Sequence, residues 1–133
     1  MNLAKKIDFH IKKDDRGELV FLESLKDIPF EIKRIYFLKN LEFLKSRGFH
    51  AHKNLKQVMF CISGSCKLIL DNGKIREEIL LDSHSFGVYL ESFLWREMHE
   101  FSENCILFVL ASEHYDESDY IRSYSKFLEV INE

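Results

Sequence analysis

Short runs of β-branched and aromatic residues, separated by turn residues, follow one another along most of this chain and constrain its fold more than any other feature. Each run has the length of a strand, and several alternate apolar with polar residues, as half-buried strands do. The runs are Lys6–Ile11, Glu18–Glu23, Ile32–Leu38, Gln57–Ser63, Ser65–Leu70, Lys74–Leu80, Phe86–Leu90, Trp95–Phe101 and Cys105–Ser112. With the strand around His50 they amount to about ten strands, which predicts an all-β barrel or jelly roll.

Two of the turns between these runs carry glycine signals. Gly64 separates Gln57–Ser63 from Ser65–Leu70, and we expect a hairpin turn there. Asp71-Asn-Gly73 precedes Lys74–Leu80, and Asn-Gly tolerates the positive φ angles of a type I′ turn. The sequence therefore predicts a second hairpin at this point.

Only the tail has the pattern of a helix. Apolar residues recur there at three- and four-residue steps, and Ser118-Asp119 offers an N-cap before them. We predict a C-terminal α-helix over about 118–131 that packs on the outside of the sheets or on a partner subunit. The apolar positions are Ile121, Tyr124, Phe127, Leu128 and Ile131.

The composition fits one compact domain over residues 1–133. Apolar residues make up 46% of the chain and aromatic residues 14%, which is enough for a single core. The net charge of −3 comes from mixed acids and bases, so no basic stripe points to nucleic acid. No run approaches the ~20 apolar residues of a membrane span, and the N-terminus lacks the apolar stretch of a signal peptide. We expect a cytoplasmic protein that binds neither membranes nor nucleic acid.

The cysteines are three in number, and none belongs to a Cys-x-x-Cys motif. Cys61, Cys66 and Cys105 all lie in hydrophobic runs of strand length. This placement predicts buried thiols without a redox role.

His50 and His52 stand two residues apart in a segment of strand character. Side chains at i and i+2 of a strand project to the same face, so the two imidazoles are expected side by side. Neutral histidine is both a metal ligand and a base near pH 7. The pair therefore indicates either metal binding or proton transfer. Gly48 before it and Gly64 after it follow the spacing of the first sequence motif of cupin barrels.

A series of motifs, in the same order along nearly the whole chain, resembles the sugar nucleotide 3,4-ketoisomerases, which are cupin-fold enzymes of deoxyaminosugar biosynthesis. The combination of Arg-Gly-Phe-His-Ala-His with Asp-Tyr-Ile-Arg is its most specific part. The segments are Asp14-Asp-Arg-Gly-Glu-Leu19, Lys33-Arg-Ile-Tyr36, Arg47-Gly-Phe-His-Ala-His52, Gln57-Val58, Ser63-Gly-Ser65, Leu70-Asp71, Trp95-Arg-Glu-Met-His99 and Leu110-Ala-Ser-Glu-His-Tyr-Asp-Glu-Ser-Asp-Tyr-Ile-Arg122.

The resemblance implies a jelly-roll cupin that acts on a dTDP-linked 4-keto-6-deoxyglucose and produces its 3-keto isomer. A 3-aminotransferase would then convert the product toward 3-amino-3,6-dideoxyhexoses. The resemblance also implies a homodimer in which N-terminal strands are exchanged between the subunits.

Three residues are candidates for catalysis. Moving the ketone from C4 to C3 requires a base for the C3 proton, an enediol or enediolate intermediate, and a proton returned to C4. By position in the family motif, His52 is expected to act at carbon and His50 to move or hold the proton at oxygen, and the reverse assignment stays open. Tyr36 is expected to donate to the keto oxygen or to relay a proton between O3 and O4.

Three arginines are candidates for binding the pyrophosphate of the substrate, since guanidinium groups bind phosphate bidentately. Arg34 and Arg47 lie in the motifs beside the histidine strand. Arg16 belongs to an Asp-x-Arg-Gly element that resembles the active-site region of deoxysugar 3,5-epimerases.

Metal-binding cupins use the two motif histidines, a glutamate five residues later and a third histidine from the second motif. Here Gln57, a poor ligand, takes the glutamate position, and His99 is the one candidate third histidine. We therefore expect neither metal nor cofactor. Gln57 and His99, with their neighbours Arg96 and Glu97, are treated as substrate-binding candidates.

Two alternatives remain open from the sequence. One is a different enzyme on the same scaffold, either a dTDP-sugar 3,5-epimerase or a metal-dependent cupin. The other is a noncatalytic cupin that binds a sugar or an effector.

Overall fold

A computed structural model describes all residues from Met1 to Glu133 and contains two five-stranded antiparallel sheets, a two-stranded hairpin and one α-helix. The strands are β1 Lys5–Asp8, β2 His10–Asp14, β3 Gly17–Phe21, β4 Arg34–Leu38, β5 Arg47–His52, β6 Gln57–Ser63, β7 Cys66–Asp71, β8 Arg76–Leu81, β9 Phe86–Leu90, β10 Trp95–His99, β11 Ile106–Ala111 and β12 Tyr120–Ile121. The helix is α1 Tyr124–Ile131. This helix is too short to cross a membrane.

The first sheet has the strand order β1-β9-β6-β11-β4, and the second has the order β12-β5-β10-β7-β8. Alternate residues from both sheets meet in a core of 15 buried residues, with Leu68 and Leu107 among the fully buried ones. The all-β jelly-roll prediction is confirmed. The two sheets keep separate hydrogen-bonded edges, however, so they are not closed into one continuous barrel.

Gly64 does not form the hairpin expected from the sequence. β6 pairs with β9 and β11 in the first sheet, whereas β7 pairs with β8 and β10 in the second. Gly64 therefore connects the two sheets. It has a φ of 69°, and a Cβ there would collide with the Ser102 hydroxyl and lie 2.8 Å from Cys105 Cα. A glycine is needed because the chain turns tightly against another segment.

β7 and β8 do form the second predicted hairpin, but not with a type I′ turn. Asp71 pairs with Arg76, so the loop has four residues, and within it only Gly73 has a positive φ, of 89°. The Asn72 side chain accepts hydrogen bonds from the N–H groups of Lys74 and Ile75, both at 2.9 Å. The asparagine thus acts through its side chain and not through a positive φ.

The first predicted run, residues 6–11, is divided at the buried Phe9 into β1 and β2. β1 joins the first sheet beside β9, whereas β2 pairs only with β3. Every residue of β2 is exposed. The hairpin formed by β2 and β3, here called the N-terminal arm, therefore exposes β2 while Val20 of β3 packs against the buried cluster on the outer face of the first sheet.

The C-terminal helix is shorter than predicted, and Ser118-Asp119 is not its N-cap. Residues 117–119 form a 3₁₀ turn, and β12 follows before the helix. The side chain of Ser123 caps α1 by accepting a hydrogen bond from the Lys126 N–H. The apolar stripe packs on the outside of the second sheet, as expected, with Phe127 fully buried against Trp95.

The three cysteines are buried in the core between the sheets, as predicted. Sγ of Cys61 lies 3.8 Å from that of Cys66 and 3.7 Å from that of Cys105. Burial raises the pKa of the Cys105 thiol to about 12, so this thiol is protonated at neutral pH.

Candidate active site

The two histidines lie side by side on the inner face of β5, as their spacing predicts. β5 is held between β10 and β12, and the Cα atoms of Tyr120 and His52 are partners across the β5–β12 pair. The imidazole rings are nearly perpendicular, with centroids 4.9 Å apart. The ring of Tyr120 lies 5.1 Å from His50 and 4.4 Å from His52. Three rings from two adjacent strands thus form one cluster.

A cavity of about 340 Å³ opens above this cluster. That volume suits a small ligand, or the sugar end of a larger one. His50 lines the cavity, whereas His52 lies behind it and is only 1% exposed. The lining residues are Arg34, Tyr36, Leu38, Arg47, Gly48, His50, Met98, Tyr115, Tyr120 and Arg122.

Both histidines are uncharged at neutral pH. Burial, followed by the positive charge of Arg96, lowers the pKa of His50 to about 4. The same two causes hold the pKa of His52 well below its usual range. Each imidazole therefore has a free lone pair and can accept a proton.

Asp119, a residue that the sequence analysis assigned to a helix cap, contacts His52 directly. Its Oδ2 lies 3.0 Å from His52 Nδ1, and the carboxylate also accepts hydrogen bonds from the N–H groups of Asn54 and Leu55. Asp119 is 67 residues from His52 in the chain. The sequence signal for it was its place in the Asp-Tyr-Ile-Arg motif, which brings Tyr120 and Arg122 to the cavity as well.

Tyr36 belongs to a buried hydrogen-bonded chain beneath the cavity. Gln57 Nε2 donates to the Tyr36 hydroxyl at 2.7 Å, and Gln57 Oε1 accepts from the guanidinium of Arg96. Since the phenol oxygen accepts from Gln57, its own hydrogen is free to point toward a ligand. Burial raises the pKa of Tyr36, so the phenol is protonated at neutral pH. Gln57 and Arg96, predicted to bind substrate, lie behind the cavity lining and hold Tyr36.

Arg96 is fully buried and has no carboxylate partner among its hydrogen bonds. Its Nε and Nη2 donate to the carbonyl oxygen of Leu94, and its Nη1 donates to Gln57. Burial lowers its pKa to about 10, which leaves the side chain charged at neutral pH. The interior beneath the histidines therefore carries a positive charge with no directly bonded carboxylate, which favours negative charge in the cavity.

Three arginines surround the cavity, of which Arg34 and Arg47 were predicted and Arg122 was not. The guanidinium of Arg34 lies 5.2 Å from the ring of Tyr36, and its buried Nε has no hydrogen-bond partner. Arg122 stacks on Tyr120 at 4.1 Å and forms two hydrogen bonds with Glu117. Free guanidinium donors at a cavity mouth are suited to bind phosphate.

Glu97 and His99 do not reach the cavity. In β10, Arg96 and Met98 face the core, while Glu97 and His99 face the opposite side. Glu97 accepts hydrogen bonds from Arg76, Trp95 and His99, and His99 also contacts Ser46. The substrate-binding role predicted for these two residues does not fit this placement.

The ligand set of metal-binding cupins is therefore not assembled. His99 is on the wrong face of β10 to join His50 and His52, and Gln57 is held between Tyr36 and Arg96. The buried charge of Arg96 further disfavours a cation beside the histidines.

Arg16 is also outside the cavity of its own subunit. It lies at the turn of the N-terminal arm, where its guanidinium forms an exposed ion pair with Asp14 at 2.9 Å. Its predicted role in substrate binding cannot be fulfilled in the same chain with the arm in this position.

Comparison with known proteins places this arrangement in a family. The family model described as FdtA, WxcM-like, C-terminal, matches residues 2–132. The chain belongs to this FdtA family. A curated relative, the TDP-4-oxo-6-deoxy-alpha-D-glucose-3,4-oxoisomerase of Aneurinibacillus thermoaerophilus, is 50% identical over 127 residues, which cover 96% of this chain and 91% of that protein.

Solved structures of FdtA-like proteins superpose on the chain over nearly its whole length. A 3,4-ketoisomerase from Helicobacter canadensis is 44% identical, with a TM-score of 0.96 and 98% of both chains covered. A histidine-to-asparagine mutant of the 3,4-ketoisomerase QdtA from Thermoanaerobacterium thermosaccharolyticum was solved in complex with TDP-4-keto-6-deoxyglucose. That chain is 39% identical and superposes with a TM-score of 0.96. The match covers 99% of this chain and 96% of the other. These matches confirm the resemblance to sugar nucleotide 3,4-ketoisomerases.

Proposed function

We propose that this chain is a dTDP-4-keto-6-deoxyglucose 3,4-ketoisomerase, which moves the ketone of its substrate from C4 to C3. The observation that carries the proposal is the pair of uncharged imidazoles beneath a cavity whose wall presents the Tyr36 hydroxyl. The relative that is 50% identical is named as a TDP-4-oxo-6-deoxyglucose 3,4-oxoisomerase. The relative that is 39% identical is named as a 3,4-ketoisomerase and was solved with TDP-4-keto-6-deoxyglucose bound. The chain is thus an isomerase.

The geometry favours His50 as the base at carbon, which exchanges the roles expected from the sequence. His50 lines the cavity and can approach C3 of a bound sugar, whereas His52 is shielded behind it. Since the pKa of His50 is lowered to about 4, it is unprotonated and ready to accept the C3 proton at neutral pH. Because this lowered pKa makes His50 a weak base, removal of the C3 proton depends on stabilisation of the negative charge that develops on O4.

The negative charge that develops on O4 is stabilised by two features of the opposite wall. The Tyr36 hydroxyl, oriented by Gln57, donates its proton to O4 and becomes a phenolate. The buried charge of Arg96 acts through Gln57 and lowers the energy of an enediolate.

The reaction is completed when C4 receives a proton and O3 loses one. His50, which lines the cavity, returns its proton to C4, and the Tyr36 phenolate takes the O3 proton, so that both side chains regain their starting protonation states. No electrons leave or enter the enzyme, because the oxidation of C3 balances the reduction of C4.

The diphosphate of the substrate is assigned to the arginines at the mouth. Arg34 and Arg47 have donors that no carboxylate occupies, while Arg122 is partly neutralised by Glu117. With C3 above His50, the nucleotide end would extend outward past these side chains. Charge-assisted hydrogen bonds to phosphate are the strongest interactions available there.

A homodimer is part of the proposal, and an apolar groove on the outer face of the first sheet supports it. The groove has a volume of about 510 Å³, and nine of its 11 lining residues are apolar, including Leu19 of the arm and Ile35 of β4. Exposed apolar surface of this kind usually marks an interface. Exchange of N-terminal arms would bring Arg16 to the partner's cavity, which accounts for its distance from its own. The cytoplasmic location expected from the sequence stays a prediction.

The experiment that tests the proposal is NMR spectroscopy of dTDP-4-keto-6-deoxyglucose incubated with the protein in deuterated water. We expect a 3-keto product, with deuterium at C4 to the extent that the proton held by His50 exchanges with the solvent. Deuterium at C3 and C5 with the ketone still at C4 would indicate a 3,5-epimerase instead. A 4-keto substrate that stays unchanged and gains no label would indicate a noncatalytic binding protein, and either result would overturn the proposal.

A further inference from the structure

Asp119 is a buried carboxylate whose hydrogen bonds are almost all supplied by the segment that follows β5. Asn54 N–H donates to Oδ1 at 2.7 Å, and Leu55 N–H donates to Oδ2 at 3.3 Å. The N–H of Lys53 donates to the backbone carbonyl of Asp119 at 3.1 Å. The carboxylate is 8% exposed, and the side chain of His52 completes its contacts.

We infer that Asp119 is a positioning residue of this active site, which holds His52 in the tautomer protonated at Nδ1 and leaves its Nε2 as a proton acceptor. The inference rests on the proposed function, which it extends by one residue and one role. Asp119 is not placed in contact with substrate and acts through His52.

The hydrogen-bond pattern forces this tautomer. An ionised carboxylate only accepts hydrogen bonds, and that of Asp119 already accepts two from backbone N–H groups. His52 Nδ1, at 3.0 Å from Oδ2, must therefore be the donor. The single proton of a neutral imidazole is then on Nδ1, so Nε2 has a lone pair.

The unprotonated nitrogen of His52 belongs to a buried ring that contacts His50. His52 Nε2 and His50 Nδ1 are both buried, and neither has a hydrogen-bond partner. The two rings are in edge-to-face contact next to Tyr120. A buried hydrogen-bond acceptor without a donor lowers the stability of the fold. Its presence in this site therefore favours a role in turnover.

Asp119 also offsets the positive charge beneath the pair. Arg96 opposes protonation of His52, while the carboxylate 3.0 Å away favours it. When His52 takes up a proton, the resulting imidazolium would be stabilised by Asp119, as in other histidine–carboxylate pairs. His52 can then share the proton that His50 removes from carbon before His50 returns it at C4.

The test begins with the wild-type protein without ligand, labelled with ¹⁵N on histidine. Long-range ¹H–¹⁵N spectra distinguish a protonated Nδ1 from a protonated Nε2, and spectra of His50→Asn and His52→Asn assign the signals. We expect His52 to be protonated at Nδ1. A proton on Nε2 would overturn the inference whether or not the proposed reaction is observed.

The variant Asp119→Asn is expected to reverse the tautomer. The amide oxygen should keep the shorter hydrogen bond, to Asn54 N–H, which turns the amide NH₂ toward His52. His52 Nδ1 must then accept, and its proton moves to Nε2. We expect kcat to fall by about 10- to 100-fold with KM nearly unchanged.

Asp116→Asn is the matched control, since Asp116 lies in the same segment but only caps the 3₁₀ turn through Ser118. It should retain the wild-type kcat and the wild-type His52 spectrum. A reversed tautomer in Asp119→Asn with an unchanged kcat would overturn the positioning role. If wild-type protein does not turn over the substrate, the proposed function fails, while the wild-type spectrum still tests the His52–Asp119 arrangement.

Discussion

At the scale of single residues, the accessibility of the two histidines separates their roles. His50 lines the cavity, and His52 is shielded behind it and held by Asp119. We expect His50→Asn to lower kcat by about 10³-fold and His52→Asn by about 10²-fold, because only the first removes the group that contacts carbon. Steady-state kinetics, with circular dichroism as a control for folding, measure both. A larger loss in His52→Asn would restore the assignment expected from the sequence.

The pH dependence of the reaction follows from the lowered pKa of His50. The base must be unprotonated, so kcat/KM should be constant between about pH 6 and pH 8 and should fall as the pH drops through about 4. If kcat/KM instead falls near pH 6.5, the ordinary pKa of histidine, the lowered pKa of His50 would be contradicted. Initial rates in buffers of constant ionic strength give the profile.

The same pKa makes the stability of the fold depend on pH. In the unfolded chain His50 takes up a proton near pH 6.5, whereas in the folded protein it resists protonation until about pH 4. The free energy of unfolding should therefore decrease as the pH falls from 6.5 to 4, by about 2 kcal/mol for this residue. Urea unfolding of the wild type and of His50→Asn at both pH values measures the difference, which should be smaller in the variant.

The side-by-side histidines were predictable from sequence because they depend only on local strand geometry. Asp119 was not, since its contact with His52 joins segments 67 residues apart and depends on the β5–β12 pairing. The burial of Gln57 and Arg96 beneath the cavity depends likewise on packing between strands. Glu97 and His99 were expected at the site from motif order, whereas the alternation of β10 turns them away from it.

At the scale of elements, the start of α1 gives a direct test of the structure. Ser123 caps the helix, while Ser118, part of the expected cap, lies in the preceding 3₁₀ turn. Ser123→Ala should lower the free energy of unfolding by about 1 kcal/mol, because a helix N–H loses its acceptor. Ser118→Ala is the control and should change it by less than about 0.5 kcal/mol. Urea denaturation of both variants decides between the two positions, and equal effects would contradict the observed cap.

The length and type of most elements were predictable, but their partners were not. β6 and β7 are adjacent in sequence and carry the composition of a hairpin, yet they belong to different sheets. Gly64 fits either a hairpin or a crossover, because both require a tight turn. The choice is made by the pairing of β6 with β9 and β11, which no local pattern encodes.

At the scale of the whole molecule, the apolar groove on the first sheet predicts the state of assembly. We expect the wild type to sediment at about twice the chain mass of 15.9 kDa. Ile35→Asp places a charge in the groove and should produce monomers, whereas Leu80→Asp, at an equally exposed leucine of β8, should not. Analytical ultracentrifugation compares the three proteins. Dimers that persist in Ile35→Asp would place the interface elsewhere.

The buried guanidinium of Arg96, which bonds to no carboxylate, has a consequence for the substitutions that such a protein can accept. An uncharged substitute of similar shape that keeps the hydrogen bonds to Leu94 and Gln57 would avoid the cost of burying a charge, so the resting protein should melt at a higher temperature. The same substitute would deprive an anionic intermediate of its counter-charge. Selection for heat resistance alone would therefore favour substitutions of Arg96 that lower kcat.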